Sequence, residues 1–260
     1  MSVGWNPEYY LKFADHRLRP ALDLLAQIPA SRPKNIYDLG CGPGTVTRLL
    51  CERWPGASVS GIDSSAQMLE RAGKEPSDIK WVEADIAGWS PETPADVIFS
   101  NAALHWLDDH PNLFPALLSK LAPGGMLAVQ MPKNHAAASH VLMADVARAG
   151  PWTDLLAPLM REAPVGTMEF YYDLLGPKAT SVNIWESEYT QILEGENPVL
   201  QWVSGTALKP LLDALDGADK GDWKAAYLAE YSKRLSKAYP PRSDGRTLFP
   251  FRRLFMVAIR

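Results

Sequence analysis

Cysteine is scarce in this chain: its 260 residues contain two, Cys41 and Cys51, and they form no CxxC pair. The sequence therefore offers neither a thiolate zinc site nor a redox pair, and we expect a reducing, cytoplasmic setting. Positive charge is not in excess either, because 26 Lys and Arg stand against 30 Asp and Glu, a net charge of −4. Without a basic run, nucleic acid is not an expected partner.

Long apolar runs are also missing, since no stretch approaches the roughly 18 residues that a membrane span needs. The N-terminus has no charged segment followed by an apolar run, so we expect no signal peptide. Metal-ligand spacing is absent as well: His135 and His140 do not have the i, i+4 spacing of a helical pair, and Asp109 fits a helix cap better than a ligand. We expect no membrane association and no metal.

Alternating apolar strands and helices are what the chain does contain. A hydrophobic content of 47% suits one large α/β domain, which we expect to span residues 1–260. The strand-like segments are 35–39, 58–62, 79–83, 96–100, 126–130, 180–193 and 253–259. Helical segments between the first five predict right-handed βαβ units. The predicted fold is a doubly wound, Rossmann-like sheet of seven strands, mostly parallel.

Three further segments interrupt or precede this alternation. Residues 1–30 predict N-terminal helices over the ligand site. Residues 132–175 and 197–245 predict helical insertions, of which the second is too long for a hairpin turn between the last two strands. Insertions of this kind often form a lid over a site, and we expect the same here.

A glycine-rich turn follows the first strand and carries Gly40, Gly42 and Gly44. Glycines at such a turn let the backbone approach a nucleoside cofactor closely. The next strand ends in Asp63, an acid suited to a ribose diol. The spacing is GxGxG rather than the GxGxxG of dinucleotide sites, which disfavours an NAD(P)-dependent oxidoreductase, and no GxxxxGK[ST] pattern predicts a nucleoside triphosphate.

Four motifs occur at the ends of predicted strands in this order along the chain: Asp38-Leu39-Gly40-Cys41-Gly42-Pro43-Gly44, Gly61-Ile62-Asp63, Glu83-Ala84-Asp85-Ile86 and Leu121-Ala122-Pro123-Gly124-Gly125. This ordered set resembles the class I S-adenosylmethionine-dependent methyltransferases over residues 36–131. The resemblance implies S-adenosyl-L-methionine as cofactor, with S-adenosyl-L-homocysteine as its product.

The same resemblance implies a set of cofactor-binding residues. Asp63 would hold the ribose diol, and Asp85 would accept a hydrogen bond from the adenine amino group beside Ile86. As alternatives, Asp63 and Asp85 are ordinary helix caps, and Met68 is a core residue. The implied set is Asp38, Gly40, Gly42, Gly44, Asp63, Ser64, Met68, Asp85, Ile86, Asn101, Ala102 and Ala103.

A narrower resemblance, carried by Trp5-Asn6-Pro7, Arg19-Pro20-Ala21, Asn101 to Leu107 and the tail Arg253-Leu254-Phe255, is to methyltransferases that esterify a small tricarboxylate. It implies transfer of a methyl group to a carboxylate oxygen. Arginine binds the remaining carboxylates bidentately, and aromatic residues wall the pocket or form core. The candidate substrate-binding residues are Tyr10, Arg17, Arg19, His105, Trp106, Tyr171, Tyr172 and Arg253.

Such a reaction needs no catalytic base, because a carboxylate is already ionised at neutral pH. The sequence contains no Ser-His-Asp or paired-carboxylate arrangement, so we expect catalysis by positioning and water exclusion, with no catalytic residue. Two alternatives remain within the cofactor class: a methyltransferase for another small acidic or lipophilic acceptor, and a non-enzymatic S-adenosylmethionine-binding protein.

Overall fold

The computed structural model describes residues 18–160, 163–218 and 220–260. Seven strands form one open sheet. They are β1 (Asn35–Leu39), β2 (Ser58–Asp63), β3 (Lys80–Glu83), β4 (Ala95–Asn101), β5 (Leu121–Pro132), β6 (Ser181–Leu193) and β7 (Thr247–Ile259).

The strand order across this sheet is β3-β2-β1-β4-β5-β7-β6. The first five strands pair in parallel, and β7 pairs antiparallel with β5, with Gln130 opposite Phe255 and Pro132 opposite Arg253. Strand order therefore reverses between β1 and β4, and this switch point is where an open α/β sheet binds its ligand. The predicted seven-stranded, mostly parallel sheet is confirmed.

Burial on both faces explains why the central strands are apolar throughout. In β4, the consecutive residues Val97, Ile98 and Phe99 are all fully buried, although neighbouring side chains point to opposite faces. β5 begins earlier than expected, at Leu121, and its register to β4 shifts between Ala95 and Val97. β7 is also longer than its predicted span, since it begins at Thr247.

Helices connect most of the first five strands and fill the segments after β5, while β3 and β4 are joined without a helix. They are α1 (Arg19–Ala26), α2 (Thr45–Arg53), α3 (Ala66–Ala72), α4 (His110–Ser119), α5 (Ala138–Ala149), α6 (Thr153–Leu156), α7 (Met168–Leu175), α8 (Pro198–Ser204), α9 (Lys209–Gly217) and α10 (Trp223–Ala238). Short 3₁₀ turns cover Leu104–Trp106 and Ala157–Leu159. In the described part of the chain, no helix is both long and apolar enough to cross a membrane.

The chain divides into two compact units, each with its own hydrophobic core. The first contains the described residues of 1–132, 165–187 and 253–260, and the second those of 133–164 and 188–252. In the second unit, α10 is tied to α5 because Tyr227 and Tyr231 donate hydrogen bonds to the carbonyls of Met143 and Ser139. That residues 1–30, 132–175 and 197–245 form a covering layer or lid stays a prediction.

Candidate functional site

The glycine turn joins β1 to α2 and is fixed by the neighbouring strand. The backbone N–H groups of Gly40 and Cys41 both donate to the carbonyl of Ile62, at 2.7 and 3.0 Å. Gly40, Gly42 and Gly44 all have positive φ, at 73°, 54° and 80°. Residues with a Cβ rarely adopt this conformation, so the turn requires glycine at all three positions.

The three glycines differ in how much space a β-carbon would have. A β-carbon on Gly40 would lie 2.1 Å from the Cβ of Ala103, and one on Gly44 would lie 2.4 Å from the Trp81 ring. These two glycines therefore allow close internal packing. A β-carbon on Gly42 would meet nothing within 4 Å, so Gly42 is the position of the turn that opens to a ligand.

Asp63, at the end of β2, faces this opening. Its Oδ2 accepts from the Gly42 N–H at 2.8 Å, and its Oδ1 accepts from the Ser65 N–H at 2.9 Å. The cap of α3 is Ser65, whose hydroxyl accepts from the Met68 N–H at 3.3 Å, so the helix-cap alternative for Asp63 is not needed. Ser64 is exposed and Met68 is half-buried.

Asp38 lies beneath the turn, 2% exposed, and its Oδ2 accepts from the Thr47 hydroxyl at 2.7 Å. Burial raises the pKa of this carboxyl from 3.8 to about 7, the Thr47 hydrogen bond opposes the rise, and the Asp63 charge adds to it. Asp38 thus links β1 to α2 while changing protonation near neutral pH.

Asp85 and Ile86 follow β3 with different exposures. The Asp85 side chain is exposed, and its Oδ1 accepts from the Ala87 N–H at 3.0 Å within a local turn. No helix follows before β4, so the helix-cap alternative for Asp85 is wrong. The Ile86 side chain packs in the core of the first unit. Asp85 retains acceptor capacity on Oδ2, so an adenine contact stays a prediction.

The end of β4 carries an unusual backbone conformation at Ala102. Its φ is 55°, which costs a residue with a Cβ on the order of 1 kcal/mol, and its N–H donates to the Gln130 carbonyl at 2.9 Å. The neighbouring Asn101 Oδ1 is buried and has no hydrogen-bond partner among the described residues. Backbone strain beside an unsatisfied acceptor, at the switch point of the sheet, is typical of a ligand site.

Arg253 is a buried cation at this sheet edge, at 7% exposed. Its Nη1 donates to Oε1 of Gln130 at 3.3 Å. We did not expect Gln130 to contribute from the sequence, although a glutamine within the apolar run Leu127 to Met131 was a signal. A buried polar residue in such a run needs a partner, and Arg253 provides it.

The other predicted substrate residues differ in burial. His105 is 9% exposed within the 3₁₀ turn after β4, and its ring contacts Trp106 at a centroid distance of 4.8 Å. Trp106 and Tyr172 are exposed, and Arg19 contacts Asp23 at 3.8 Å on the surface of α1. Tyr10 and Arg17 lie outside the described residues, so their predicted roles stay predictions.

Tyr171 is fully buried in the core of the first unit. The carbonyl of Leu104 accepts from His110 Nε2 at 3.0 Å, which makes Nδ1 the acceptor for the Tyr171 hydroxyl at 2.8 Å. The Gly166 N–H donates to the same hydroxyl at 3.2 Å. Burial raises the pKa of Tyr171 to about 12. These contacts favour the core role that we weighed for this tyrosine over a place in the pocket wall.

The site therefore combines an opened glycine turn, an acid beside it and a buried arginine across the sheet edge. The glycine turn and its acid suit a hydroxylated, nucleoside-like ligand, and the buried arginine suits the carboxylate of a second ligand. Within the described ranges, no group of three or more His, Cys, Asp or Glu residues is placed to hold a metal ion.

Known proteins match the chain along nearly its whole length. Residues 10–214 match the family described as "Methyltransferase domain". The chain is 48% identical to trans-aconitate 2-methyltransferase of Azoarcus sp. (strain BH72), covering 98% of this chain and 99% of that protein. It is 43% identical to the enzyme of the same name from Rhodopseudomonas palustris (strain BisB5), covering 99% of this chain and 100% of that protein.

Solved structures with low sequence identity share the fold. A phosphoethanolamine N-methyltransferase of Haemonchus contortus, in complex with S-adenosylhomocysteine, aligns with a TM-score of 0.55 at 15% identity. That alignment covers 93% of this chain and 52% of the nematode enzyme, so the chain spans about half of its length. A protein assigned to the methyltransferases from Bacillus halodurans C-125 aligns with a TM-score of 0.58 at 15% identity, over 92% of this chain and 97% of that one.

Proposed function

The chain belongs to the methyltransferase family that includes the trans-aconitate 2-methyltransferases, and from this premise we propose that it transfers a methyl group from S-adenosylmethionine to a carboxylate oxygen of trans-aconitate. The products are the monomethyl ester and S-adenosylhomocysteine. The observation that carries the choice of an acidic acceptor is the buried Arg253 at the ligand edge of the sheet.

The residues around the turn fit this cofactor. Gly42 opens to free space, and each Asp63 oxygen accepts one backbone hydrogen bond while keeping capacity for a second from a ribose hydroxyl. We assign the ribose to Asp63 and the adenine edge to Asp85 with the Ile86 backbone. Asn101, with its unsatisfied Oδ1, and Ala102 and Ala103 border the methionine end.

Bound S-adenosylmethionine supplies an electrophilic methyl group on a sulfonium centre. The residues of the chain contribute orientation and shielding, because an ionised carboxylate needs no base to attack. A carboxylate and a sulfonium neutralise each other as the methyl group moves, so a site poor in water favours the transition state over the separated ions. No proton is removed in this step, and we assign no catalytic acid or base.

The acceptor keeps two further carboxylates, and these need cations. We assign one to Arg253, since a guanidinium binds a carboxylate through two parallel hydrogen bonds. The polar residues that remain candidates for the rest of the acceptor are Tyr10, Arg17, Arg19, His105 and Tyr172, with Trp106 as a wall. We propose the cytoplasm as its setting, which two free cysteines support.

Labelled cofactor tests the reaction directly. Purified protein is incubated with methyl-labelled S-adenosylmethionine and a panel of di- and tricarboxylates, and the esters are identified by mass spectrometry. We expect turnover on trans-aconitate. Turnover on another acid alone overturns the acceptor, and binding of the cofactor with no turnover on any acid favours a non-enzymatic binding protein.

Adjacent arginines on β7 give a matched pair for the acceptor site. We expect Arg253→Ala to raise KM for the acid by between about tenfold and a hundredfold, the range for losing a hydrogen-bonded charge. Arg252→Ala is the control, because Arg252 is exposed and contacts Glu188 at 3.5 Å. Equal effects of Arg253→Ala on the acid and on the cofactor would remove Arg253 from the acceptor site.

A further inference from the structure

Gln130 is fully buried near the carboxyl end of β5, where ligands of an open α/β sheet bind. Its side-chain oxygen accepts from Arg253, which leaves the amide nitrogen, Nε2, turned to a different direction. This nitrogen is buried and has no hydrogen-bond partner among the described residues. A buried amide donor without a partner costs on the order of 1–3 kcal/mol, so its retention calls for a ligand.

Strand pairing places three polar side chains on one face. Gln130 pairs with Asn101 of β4 and with Phe255 of β7, and paired residues share a face. Arg253 precedes Phe255 by two residues and therefore lies on the same face. A polar row, Asn101, Gln130 and Arg253, thus crosses adjacent strands at the ligand edge.

Among the described residues, no acceptor lies within hydrogen-bond distance of Gln130 Nε2, and the Oδ1 of its strand partner Asn101 is likewise unpartnered. Phe255 is fully buried, and the Trp185 ring stacks on it at a centroid distance of 5.0 Å and an angle of 8°. On the β7 side, the neighbours of the glutamine are therefore an apolar ring and the guanidinium of Arg253, and on the β4 side its strand partner is Asn101. A donor in this setting is matched by an anionic oxygen of a ligand, since a charged acceptor forms the stronger bond.

Position in the sheet indicates which ligand this is. β7 lies three strands from β1, and strands are spaced by about 4.8 Å, so the Arg253 strand runs about 14 Å from the strand of the glycine turn. The cofactor is anchored at the turn, and the acceptor lies beyond its methyl group. The Gln130–Arg253 pair is therefore on the acceptor side.

We propose that Gln130 determines acceptor specificity: Oε1 positions Arg253, and Nε2 donates to the same non-reacting carboxylate of the acceptor that Arg253 binds. This inference rests on the proposed function in that it takes a polycarboxylate as the methyl acceptor. It goes beyond that function by assigning one carboxylate to two named donors on neighbouring strands, β5 and β7.

Two substitutions of Gln130 distinguish direct binding of the acceptor from positioning of Arg253. Gln130→Met removes both polar atoms at similar volume, and Gln130→Glu keeps an oxygen for Arg253 while removing the donor. A wild-type KM in Gln130→Glu would show that an oxygen for Arg253 is sufficient and that the donor is not needed. We expect KM for the acid to rise by between about tenfold and a hundredfold in Gln130→Met and further in Gln130→Glu, whose carboxylate repels the acceptor. In both variants we expect kcat to change less than threefold.

Binding measurements without turnover complete the test. We expect calorimetry to give the same S-adenosylhomocysteine affinity, within twofold, for wild type and both variants. Trans-aconitate alone should raise Tm of wild type but not of the variants. Gln191→Met is the matched control, because Gln191 is a buried glutamine on another strand, and it should leave both affinities unchanged.

The outcomes distinguish this inference from the proposed function. If wild type methylates a different polycarboxylate, the acceptor is wrong, but the same variants still test Gln130 with that acid. A wild-type KM in Gln130→Glu overturns direct recognition, and a loss confined to cofactor affinity assigns the donor to the methionine end instead. If Gln130→Met fails to fold, the KM of Gln130→Glu for the acid decides whether Gln130 binds the acceptor, because glutamate is isosteric with the native residue.

Discussion

Gly40 approaches Ala103 so closely that a β-carbon on the glycine would lie 2.1 Å from the alanine Cβ. The first residue of the glycine turn and the segment after β4 are thus packed without room for one methyl group. Gly40 is required for the internal contact across the switch point, whereas Gly42 is the residue with open space beside it. The two glycines should therefore respond differently to the same substitution.

We expect Gly40→Ala to lower the free energy of unfolding by about 3 kcal/mol, through overpacking and an unfavourable positive φ. Gly42→Ala should cost about 1 kcal/mol, since only the left-handed conformation is penalised, while weakening cofactor binding. Urea denaturation measures the first effect and calorimetry the second. Ala103→Gly added to Gly40→Ala should recover part of the loss. Equal stabilities of the two single variants would contradict this assignment.

Asp63→Ala should weaken S-adenosylhomocysteine binding by about tenfold or more, because the carboxylate anchors Gly42 and, in our proposal, accepts from the ribose. Asp96 offers a matched control, since its Oδ2 accepts from the backbone N–H groups of Lys34 and Asn35 at the other end of the strands. Asp96→Ala should lose stability with unchanged cofactor affinity. A similar loss of affinity in both variants would indicate a general structural effect.

Neighbouring tyrosines on α7 provide a test of the buried network. Tyr171→Phe removes the hydroxyl that bonds His110 and Gly166, and we expect a loss of about 1–2 kcal/mol. Tyr172→Phe should change stability by less than about 0.5 kcal/mol, because Tyr172 is 58% exposed. Thermal and urea unfolding of both variants check this pair. If Tyr171→Phe is neutral in stability and raises KM for the acid, Tyr171 belongs to the wall of the acceptor pocket.

Asp38 makes stability depend on pH in a specific direction. Its pKa is raised from 3.8 to about 7, so the folded state binds this proton more tightly than the unfolded chain. The contribution of this proton to the free energy of unfolding is fully present below pH 3.8. It is lost as pH rises to about 7, at about 1.4 kcal/mol per pH unit. Asp38→Asn should remove this slope between pH 4.5 and 7, measured by urea denaturation against wild type. Asp96→Asn should keep the slope.

Much of the sheet follows from local pattern, because short apolar segments alternate with helices up to Met131. The start of β5 does not, since Pro123-Gly124-Gly125 is typical of a turn. In the structure, Gly124 donates to the Arg260 carbonyl and Gly125 accepts from the Arg260 N–H, at 3.0 and 2.9 Å. That partner is more than a hundred residues away in sequence, so no local signal reveals it.

In the candidate site, too, some residues follow from local sequence pattern and others depend on distant partners. The order of Gly40, Gly42 and Asp63 predicts a cofactor cradle, because each residue has its role within its own turn. Gln130 was missed, since its polar partner Arg253 comes from a distant strand and only the sheet register brings them together. Tyr171 and Tyr172 are adjacent in sequence, and their opposite burial depends on where His110 lies.

The antiparallel direction of β7 has a consequence for how acceptor preference evolves. Parallel strands present loops at the ligand edge, and loops tolerate insertion and replacement. Arg253 instead lies within a continuous strand whose ladder to β5 runs from Ile259 to Arg253. If Arg253 binds the acceptor as proposed, moving its guanidinium would disturb the last pair of this ladder, at Pro132. We therefore expect new acceptors to be gained more readily by changing the size of the surrounding side chains than by relocating Arg253.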